Sequence, residues 1–289
     1  ISGAGFQQMT NLTLNSPPRF NYTFIDDSIF TPMGEIDLSA GSWRIVNVQG
    51  VVYDFDGEQE LLNISSEFFE IAGSFYGDLD DNNRHYTNST CYLDKSYGGS
   101  TEAAFYCGYN LSYYANAGLW NTTMFLSDNL SLPVKKSNTT SINQLLAIEI
   151  QSSIDFGIID AQAVSNETIV NVTNFGNVII NLTIEGYAST LGDNNSMACT
   201  TGNIPVYYTK YNLTSSYSNS LNLTEFESRY QNLTSSRITR RFDLRHRQTD
   251  ANPYLDDTNL TYWRTYAPIG IEGSCAGNII FGATVASGG

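Results

Sequence analysis

The fold class is clearest in Thr168-Ile-Val-Asn-Val-Thr-Asn-Phe-Gly-Asn-Val-Ile-Ile-Asn-Leu-Thr-Ile-Glu-Gly186, which contains two runs of alternating apolar and polar residues. Alternation with a period of two is typical of a strand that buries one face. Residues 174–177 join the runs, and Gly176 with the flanking asparagines suits the positive φ angles of a tight turn. The stretch therefore predicts a β-hairpin with Asn171 and Asn181 on its polar face.

Other segments also indicate strands. The aromatic side chains of residues 20–24 share one face, and residues 278–286 form an alternating run near the end of the chain. The composition agrees, because 19 Tyr and 23 Gly with only 15% charged residues favour strands and turns over solvated helices. Helical periodicity is weak, and only residues 65–71 suggest a single helical turn. We predict an all-β protein.

Asn-x-Ser/Thr sequons are unusually frequent. The chain has sixteen, none with proline in the middle, whereas chance pairing of its residues predicts roughly 6. An Asn- and Thr-rich composition also produces unused sequons, but the excess of the whole set favours N-glycosylation on a secretory route. The predicted sites are Asn11, Asn21, Asn63, Asn88, Asn110, Asn121, Asn129, Asn138, Asn166, Asn171, Asn181, Asn194, Asn212, Asn222, Asn232 and Asn259.

The four cysteines indicate disulfide bonds. They form no Cys-x-x-Cys pair, and the chain has only two histidines to complete a zinc site. Disulfides fit better in an oxidising compartment. Sequential pairing would place one bridge in each half of the chain, whereas the other two connectivities would tie the halves together. The sequential pairs are Cys91 with Cys107 and Cys199 with Cys275.

Charge and hydropathy exclude several classes of protein. A net charge of −15 argues against nucleic acid and anionic lipid as partners. No stretch reaches the roughly 18 apolar residues that a membrane span needs, and the long apolar N-terminal helix of type IV pilins and archaeal flagellins is absent from the sequence. No signal-peptide pattern follows Ile1, so we expect any signal peptide to have been removed. We predict a secreted or cell-surface protein.

The length of 289 residues suits two domains of ordinary size. Residues 133–143 are polar and lack strong alternation, which makes them the best linker candidate. We place the boundary near residue 140, with a first β-sandwich in residues 16–140 and a second in residues 141–289. Residues 211–230 form another polar tract, interpreted as a long exposed insertion in the second domain.

Five segments of the second half together form one pattern of Phe-Gly, alternating Val and Asn, and a final strand that follows a Pro/Gly loop. They are residues 154–159, 170–174, 176–178, 263–273 and 279–285. The pattern resembles the immunoglobulin-like β-sandwich domains of secreted archaeal surface proteins, and it covers about half of the chain. Relatives of this architecture include the subunits of glycosylated archaeal threads and of TasA-like filaments, in which an N-terminal strand of one subunit completes the sheet of the next. The resemblance implies a homopolymer of identical subunits, by analogy of fold. The first half matches no pattern of this kind.

The N-terminal segment, residues 1–15, has the features of a donated strand. It begins with small residues, carries apolar ones and precedes the break at Pro17 and Pro18. A free terminal strand can add to an open sheet edge in another copy, where backbone hydrogen bonds supply affinity and side-chain pockets supply register. The alternative is an ordinary first strand that pairs within its own domain. The apolar residues of the segment are Ile1, Phe6, Met9, Leu12 and Leu14.

Two charged tracts have opposite signs. Residues 237–247 hold five of the ten arginines, and alternation places four of these on one side. Residues 54–60 carry four carboxylates in a similar alternation. Complementary stripes would set the register of neighbouring subunits or domains. Exposed ion pairs contribute little each, so a solvated face is the alternative, and polyanion binding is less favoured.

Chemical sites are weakly indicated. Residues 78–83 offer oxygen ligands for Ca²⁺, but Asn83 stands where an EF-hand loop has glycine and Ser89 where it has glutamate. An acidic turn without metal is favoured, and we predict no cofactor. A catalytic triad would need His85 or His246, and no nucleophile-elbow motif accompanies either.

These observations predict a protein that is not an enzyme: a structural subunit of a glycosylated extracellular filament or surface array, assembled by donation of the N-terminal strand. The first alternative is a monomeric adhesin or carbohydrate-binding ectodomain, and the second is a secreted hydrolase with paired carboxylates. A sugar-binding platform would use the abundant Tyr with Trp43, Trp120 and Trp263, although core packing is the favoured role of these rings.

Overall fold

The computed structural model describes residues 12, 14–27, 34–130, 133–249 and 257–286. Regular structure in this part of the chain is almost entirely antiparallel sheet, so the predicted all-β class is confirmed. The immunoglobulin-like character of the second half stays a prediction. Within the described residues, no helix has the length and apolar character that a membrane crossing requires.

The described part of the first half contains eight strands: β1 (Arg19–Asp26), β2 (Trp43–Tyr53), β3 (Leu61–Glu70), β4 (His85–Asn88), β5 (Tyr92–Asp94), β6 (Glu102–Ser112), β7 (Gly118–Asp128) and β8 (Val134–Ile142). They form two four-stranded sheets, with the orders β1-β2-β6-β5 and β4-β3-β7-β8. The helical turn predicted for residues 65–71 is wrong, because residues 65–70 belong to β3 and their apolar side chains pack into the sandwich.

One apolar core lies between these two sheets. Phe68, Trp120 and Met124 are fully buried there, and the rings of Phe68 and Trp120 stack with their centroids 4.9 Å apart. A disulfide joins Cys91 to Cys107 inside the same core. Burial of apolar surface stabilises the sandwich by about 25 cal/mol per Å², so these large side chains account for much of its stability.

The segment predicted as a linker is a strand. Val134–Ile142 forms β8, which pairs with β7 along its whole length. The prediction failed because β8 lies at the edge of its sheet, where alternate side chains are polar and exposed and the apolar signal is weak. The first core ends near Leu145 and the second begins at Ile148. The domain limits themselves stay a prediction.

The described part of the second half contains eleven strands and one helix: β9 (Ile148–Ile150), β10 (Thr168–Asn174), β11 (Ile180–Tyr187), β12 (Asn195–Thr201), β13 (Asn203–Pro205), β14 (Thr209–Asn212), α1 (Leu223–Arg229), β15 (Gln231–Asn232), β16 (Ile238–Leu244), β17 (Thr258–Thr265), β18 (Glu272–Ala276) and β19 (Asn278–Val285). The sheet orders are β15-β14-β17-β10-β9, β16-β11-β19 and β13-β12-β18. Trp263 and Tyr211 are fully buried in the core of this half.

The predicted hairpin is an arch between two sheets. β10 pairs with β9 and β17, whereas β11 pairs with β16 and β19. In the connection, the Asn174 side chain accepts a hydrogen bond from the Gly176 N–H (2.9 Å) and donates one to the Val178 carbonyl (2.8 Å). A Cβ atom on Gly176 would lie 2.0 Å from the Leu145 carbonyl oxygen. The glycine is needed for this close approach rather than for a positive φ.

Residues 211–230 are exposed at half of their positions, as expected, but buried aromatic residues anchor the tract to the second half. Tyr211 belongs to β14 and is fully buried, and Phe226 of α1 is fully buried among aromatic neighbours. The helix begins with a reciprocal capping box between Asn222 and Glu225. The buried Arg264 donates hydrogen bonds to the carbonyls of this tract, which holds it against β17. The exposed residues of the tract account for its polar sequence, whereas its buried aromatic residues attach it to the core.

Polar contacts join the two halves. The Asn177 side chain donates hydrogen bonds of 3.0 Å to the carbonyls of Ala115 and Asn143. The Thr249 N–H donates to the side chain of Asn83 at 2.7 Å. His246 lies 3.0 Å from the Asn116 side-chain oxygen, and burial lowers the pKa of this histidine to about 4. The contact between the halves therefore combines buried amides with an aromatic contact, in which the rings of Tyr113 and Phe175 lie 5.6 Å apart.

Candidate glycosylation and assembly surfaces

Sequon asparagines lie at the surface of the protein. Fifteen of the sixteen fall among the described residues, and none of the fifteen is buried. Asn11 lies outside the described residues. Nine are largely exposed, namely Asn21, Asn110, Asn129, Asn166, Asn171, Asn194, Asn222, Asn232 and Asn259, and six are half-buried, namely Asn63, Asn88, Asn121, Asn138, Asn181 and Asn212.

Buried asparagines belong to a different set. Asn47, Asn83, Asn174 and Asn177 are the buried asparagines of the described residues, and none of them starts a sequon. Three of the four hold loops or join the two halves, as described above. No buried asparagine in the described part of the chain is therefore a sequon, although five half-buried sequon asparagines also donate hydrogen bonds through the amide nitrogen, namely Asn63, Asn88, Asn121, Asn138 and Asn212.

Several sequon asparagines are held through the amide oxygen. The Asn181 oxygen accepts hydrogen bonds from the Phe242 N–H (2.9 Å) and the Asp243 N–H (3.2 Å). The Asn222 oxygen accepts from the Glu225 N–H at 2.9 Å as the helix cap. N-glycans attach to the amide nitrogen. These two asparagines can therefore keep their structural hydrogen bonds with a glycan in place.

Asn194 lies in a tight turn with a φ of 60°. The neighbouring Asp193 carboxylate closes the turn by accepting hydrogen bonds from the N–H groups of Ser189, Asn195 and Thr190. These donors stabilise the charged form and lower the pKa of Asp193 to about 2. The turn projects Asn194 from the surface, where it is exposed.

Both disulfides follow the sequential pairing. Cys91 bonds to Cys107 within the first half, and Cys199 bonds to Cys275 within the second. Cys199 on β12 lies directly opposite Cys275 on β18 in the antiparallel ladder. The described residues contain no free cysteine.

The donor segment is only partly described. Ile1, Phe6 and Met9 lie outside the described residues. Leu12 and Leu14 are 82% and 79% exposed, and the first strand begins only at Arg19. These two apolar side chains are therefore not packed into the sheet of their own domain. Whether the segment pairs with its own sheet or with another copy stays open.

β19 lies at an open sheet edge. It pairs with β11 on one side, and no other described strand pairs with it. Ile180 and Leu182 of the central strand β11 are fully buried, whereas Ile279 and Phe281 of β19 stay partly exposed although they pack on the same core. The difference arises because no strand of the described residues covers the outer side of β19.

A groove of about 820 Å³ lies beside the first half of β19, where it is lined by residues 278–281 and by the whole of β18. β19 forms one wall, and residues 150–159 form another, in which Ile154 and Phe156 pack on the core and Ile158 is fully exposed. Unpaired backbone groups beside an apolar wall can accept an extended segment as an added strand. The sequence does not predict this groove, because the alternation in residues 278–285 does not reveal how many other strands pair with β19.

The two charged tracts do not meet each other in the described structure. Arg237 donates two hydrogen bonds to Glu185, at 3.0 and 2.7 Å, and Arg241 pairs with Asp243. The acidic tract is not a strand, because Asp54 follows β2 and residues 58–60 form a short 3₁₀ turn. Burial raises the pKa of the Asp54 carboxyl. The two tracts therefore do not pair with each other within the described residues, and pairing between neighbouring subunits stays a prediction.

The acidic turn uses its oxygens locally. Asp78 accepts hydrogen bonds from the Ser74 hydroxyl and the Phe75 N–H, both at 2.9 Å, and these donors lower the pKa of the Asp78 carboxyl. Asp81 accepts from the Asn83 N–H at 2.7 Å. Among the described residues, no group of three His, Cys, Asp or Glu side chains is arranged to hold a metal ion. The absence of a cofactor stays a prediction.

Ser74, His85 and Glu67 form a buried row. The Ser74 hydroxyl oxygen is 2.9 Å from His85 Nδ1, and His85 Nε2 is 3.3 Å from a Glu67 oxygen. Ser74 and His85 are only 4% and 1% exposed, and the Ser74 hydroxyl donates to Asp78. A hydroxyl that donates to a carboxylate inside the protein is not poised to attack a substrate. The row serves to hold the turn, and the non-enzymatic character of the chain stays a prediction.

Comparisons with known proteins do not assign this chain to a family. No family model matches the chain. No curated protein sequence matches it. A solved chain from a study of the chaperone–tip adhesin complex in the biogenesis of CFA/I fimbriae is 10% identical, with 88% of this chain and 78% of that chain covered and a TM-score of 0.33. A similarity at that score carries no argument about this chain.

Proposed function

We propose that this chain is a structural subunit of a glycosylated extracellular filament or surface array. The N-terminal segment of one copy would add to the open edge of β19 in the next. The observation that supports this proposal most directly is the partial exposure of Ile279 and Phe281, which pack on the core at an edge that no other described strand covers. A donated strand would supply both the missing backbone partners and the missing apolar cover.

The setting supports the same proposal. Two disulfides, fifteen accessible sequon asparagines and a net charge of −15 suit a chain exposed to an oxidising exterior. Glycans on the outer faces of the sheets would keep the surface of an assembly hydrated. They would also hinder unwanted pairing at other edges, since a bulky polar group blocks the approach of another sheet.

The proposal is tested by comparing the assembly of two variants with that of the native protein. Deletion of residues 1–14 removes the donor, and Ile158→Glu places a charge in the groove while the donor stays intact. Leu191→Glu is the matched control, because Leu191 is 65% exposed in a turn that does not line the groove. We expect filaments of the native protein and of Leu191→Glu in electron microscopy, and monomers of the other two variants.

A synthetic peptide of residues 1–15 should bind the deletion variant with 1:1 stoichiometry, and Ile158→Glu should abolish this binding. Filaments formed as readily by the deletion variant would overturn the proposal. Circular dichroism and thermal unfolding of each variant separate a failure to assemble from a failure to fold.

A carbohydrate-binding ectodomain is the second candidate. Phe24, Gln49, Tyr106 and Tyr92 occupy one row across the outer face of the sheet β1-β2-β6-β5, and Tyr92 is 66% exposed. Aromatic rings beside an amide suit the faces and hydroxyls of a sugar. Binding of oligosaccharides by a monomer, lost in Tyr92→Ala, would favour this candidate over a filament subunit.

A further inference from the structure

Two large apolar side chains of β2 are exposed on the outer face of the first sandwich. Trp43 is 72% and Ile45 is 56% exposed, whereas Val46 and Val48 of the same strand are fully buried on the inner face. Trp120 and Trp263, the other two tryptophans of the chain, are fully buried. An exposed tryptophan beside an exposed isoleucine indicates a surface that something covers.

The sequon at Asn110 lies directly beside this pair. In the antiparallel register of β2 and β6, Asn110 is opposite Ile45, and the sequon's Ser112 is opposite Trp43. Directly opposed residues have Cβ atoms roughly 5 Å apart. Asn110 is exposed, and its strand neighbours Tyr109 and Leu111 are buried, so Asn110 shares the outer face with Trp43 and Ile45.

The neighbouring positions limit what else a glycan on Asn110 can contact. Gly108 pairs with the buried Asn47, and the ring of Tyr106 lies over Gly108, 3.2 Å from where its Cβ atom would be. Directly across the ladder from the Asn110 sequon, a glycan meets Ile45 and Trp43. Pyranose rings have one face composed of C–H groups, and such a face packs well on an aromatic ring and an aliphatic side chain.

We propose that the first saccharides of a glycan on Asn110 pack against Trp43 and Ile45 and shield them from water. Asn110 is then a structural glycosylation site, in contrast to loop sites such as Asn166, which is exposed ahead of β10. This inference rests on the N-glycosylation included in the proposed function. It does not depend on strand donation, which involves residues 1–14 and β19 and none of the residues of this patch.

The fluorescence of Trp43 provides the test. Because the other two tryptophans are fully buried, a water-soluble quencher such as acrylamide reports mainly on Trp43. The protein is produced in a host that attaches N-glycans, and occupancy of Asn110 is measured by mass spectrometry of its glycopeptide. Ser112→Ala removes the sequon but keeps Asn110, and Asn110→Gln removes the asparagine. Asn166→Gln is the matched control, which removes a glycan elsewhere.

We expect the Stern–Volmer constant for acrylamide to rise about twofold in Ser112→Ala and in Asn110→Gln, because one of the two faces of the ring is uncovered. Asn166→Gln should leave the constant unchanged. In the fully glycosylated protein, Trp43→Ser should lower the quenchable fraction of the fluorescence. Melting temperatures should fall in the two sequon variants more than in Asn166→Gln.

Three results would overturn the inference: an unoccupied Asn110, equal quenching in all variants, or protection of Trp43 that depends on protein concentration. The last result would assign the patch to a second copy of the chain. Glycans at other sequons together with filaments would leave the proposed function intact in each case. The failure of the two ideas can therefore be told apart.

Discussion

Phe281 packs edge to face against Trp263, with the two ring centroids 5.4 Å apart. Trp263 is fully buried, yet Phe281 is partly exposed, because β17 is flanked by strands on both sides and β19 on one side only. The pair marks the point where the core of the second half reaches the open edge. Its two members should therefore respond differently to truncation.

We expect Trp263→Ala to lower the free energy of unfolding of the monomer by about 3–5 kcal/mol, since it leaves a large cavity in a closed core. Phe281→Ala should cost about 1–2 kcal/mol in the monomer, because part of that ring is already in water. Urea unfolding of the monomeric deletion variant measures both. Equal losses would contradict an open edge at β19.

Protonation of His246 should weaken the contact between the two halves. Its folded pKa of about 4 lies below the ordinary value of 6.5, so the unfolded chain takes up the proton first as the pH falls. The stability that this histidine contributes is complete above pH 6.5 and is lost between pH 6.5 and pH 4, to a total on the order of 2–3 kcal/mol. Urea unfolding at pH 7 and pH 4.5 measures this loss.

His246→Gln is the control for that experiment, because an amide can still hydrogen bond to Asn116 and does not titrate. Its stability should change less with pH over the same range than that of the native protein. A slope as steep in His246→Gln as in the native protein would assign the pH dependence to other groups.

The two disulfides should contribute unequally. The bridge from Cys199 to Cys275 spans 76 residues, whereas the bridge from Cys91 to Cys107 spans 16. Loop-closure entropy predicts losses of about 4 and about 3 kcal/mol when each pair is replaced by serine. Thermal unfolding of the two double variants checks the order. A larger loss for the shorter loop would show that packing in the first core outweighs chain entropy, since Cys107 is fully buried there.

Asn222 combines a helix cap and a sequon, and two variants separate these roles. Asn222→Asp keeps an oxygen that can accept from the Glu225 N–H but removes the glycan, whereas Asn222→Ala removes both. In protein made without glycans, Asn222→Ala should cost about 1 kcal/mol and Asn222→Asp almost nothing. Equal stability of the two variants would argue against the cap.

The sequence allowed some features of the assembly surfaces to be predicted and not others. The alternation of apolar and polar residues predicted that the side chains of Val170 and Leu182 are buried. Both side chains are fully buried in the structure. The alternation did not indicate that Thr183 and Glu185, on the polar side of β11, are also covered, because their cover comes from Arg237 and other distant residues. The capping box at Asn222 was present in the sequence and would have revealed α1.

By itself, the sequence determined the strand periods, the positions of the sequon asparagines and a cysteine spacing that suits one bridge in each half. These are local properties, because the side of a strand that faces water is set by its own alternation. Only the tertiary structure decided that β10 and β11 belong to different sheets, that Trp43 lies beside Asn110, and that β19 has one free edge. Such relationships depend on contacts between residues far apart in the chain, including the close approach of Gly176 to Leu145, and no local pattern encodes them.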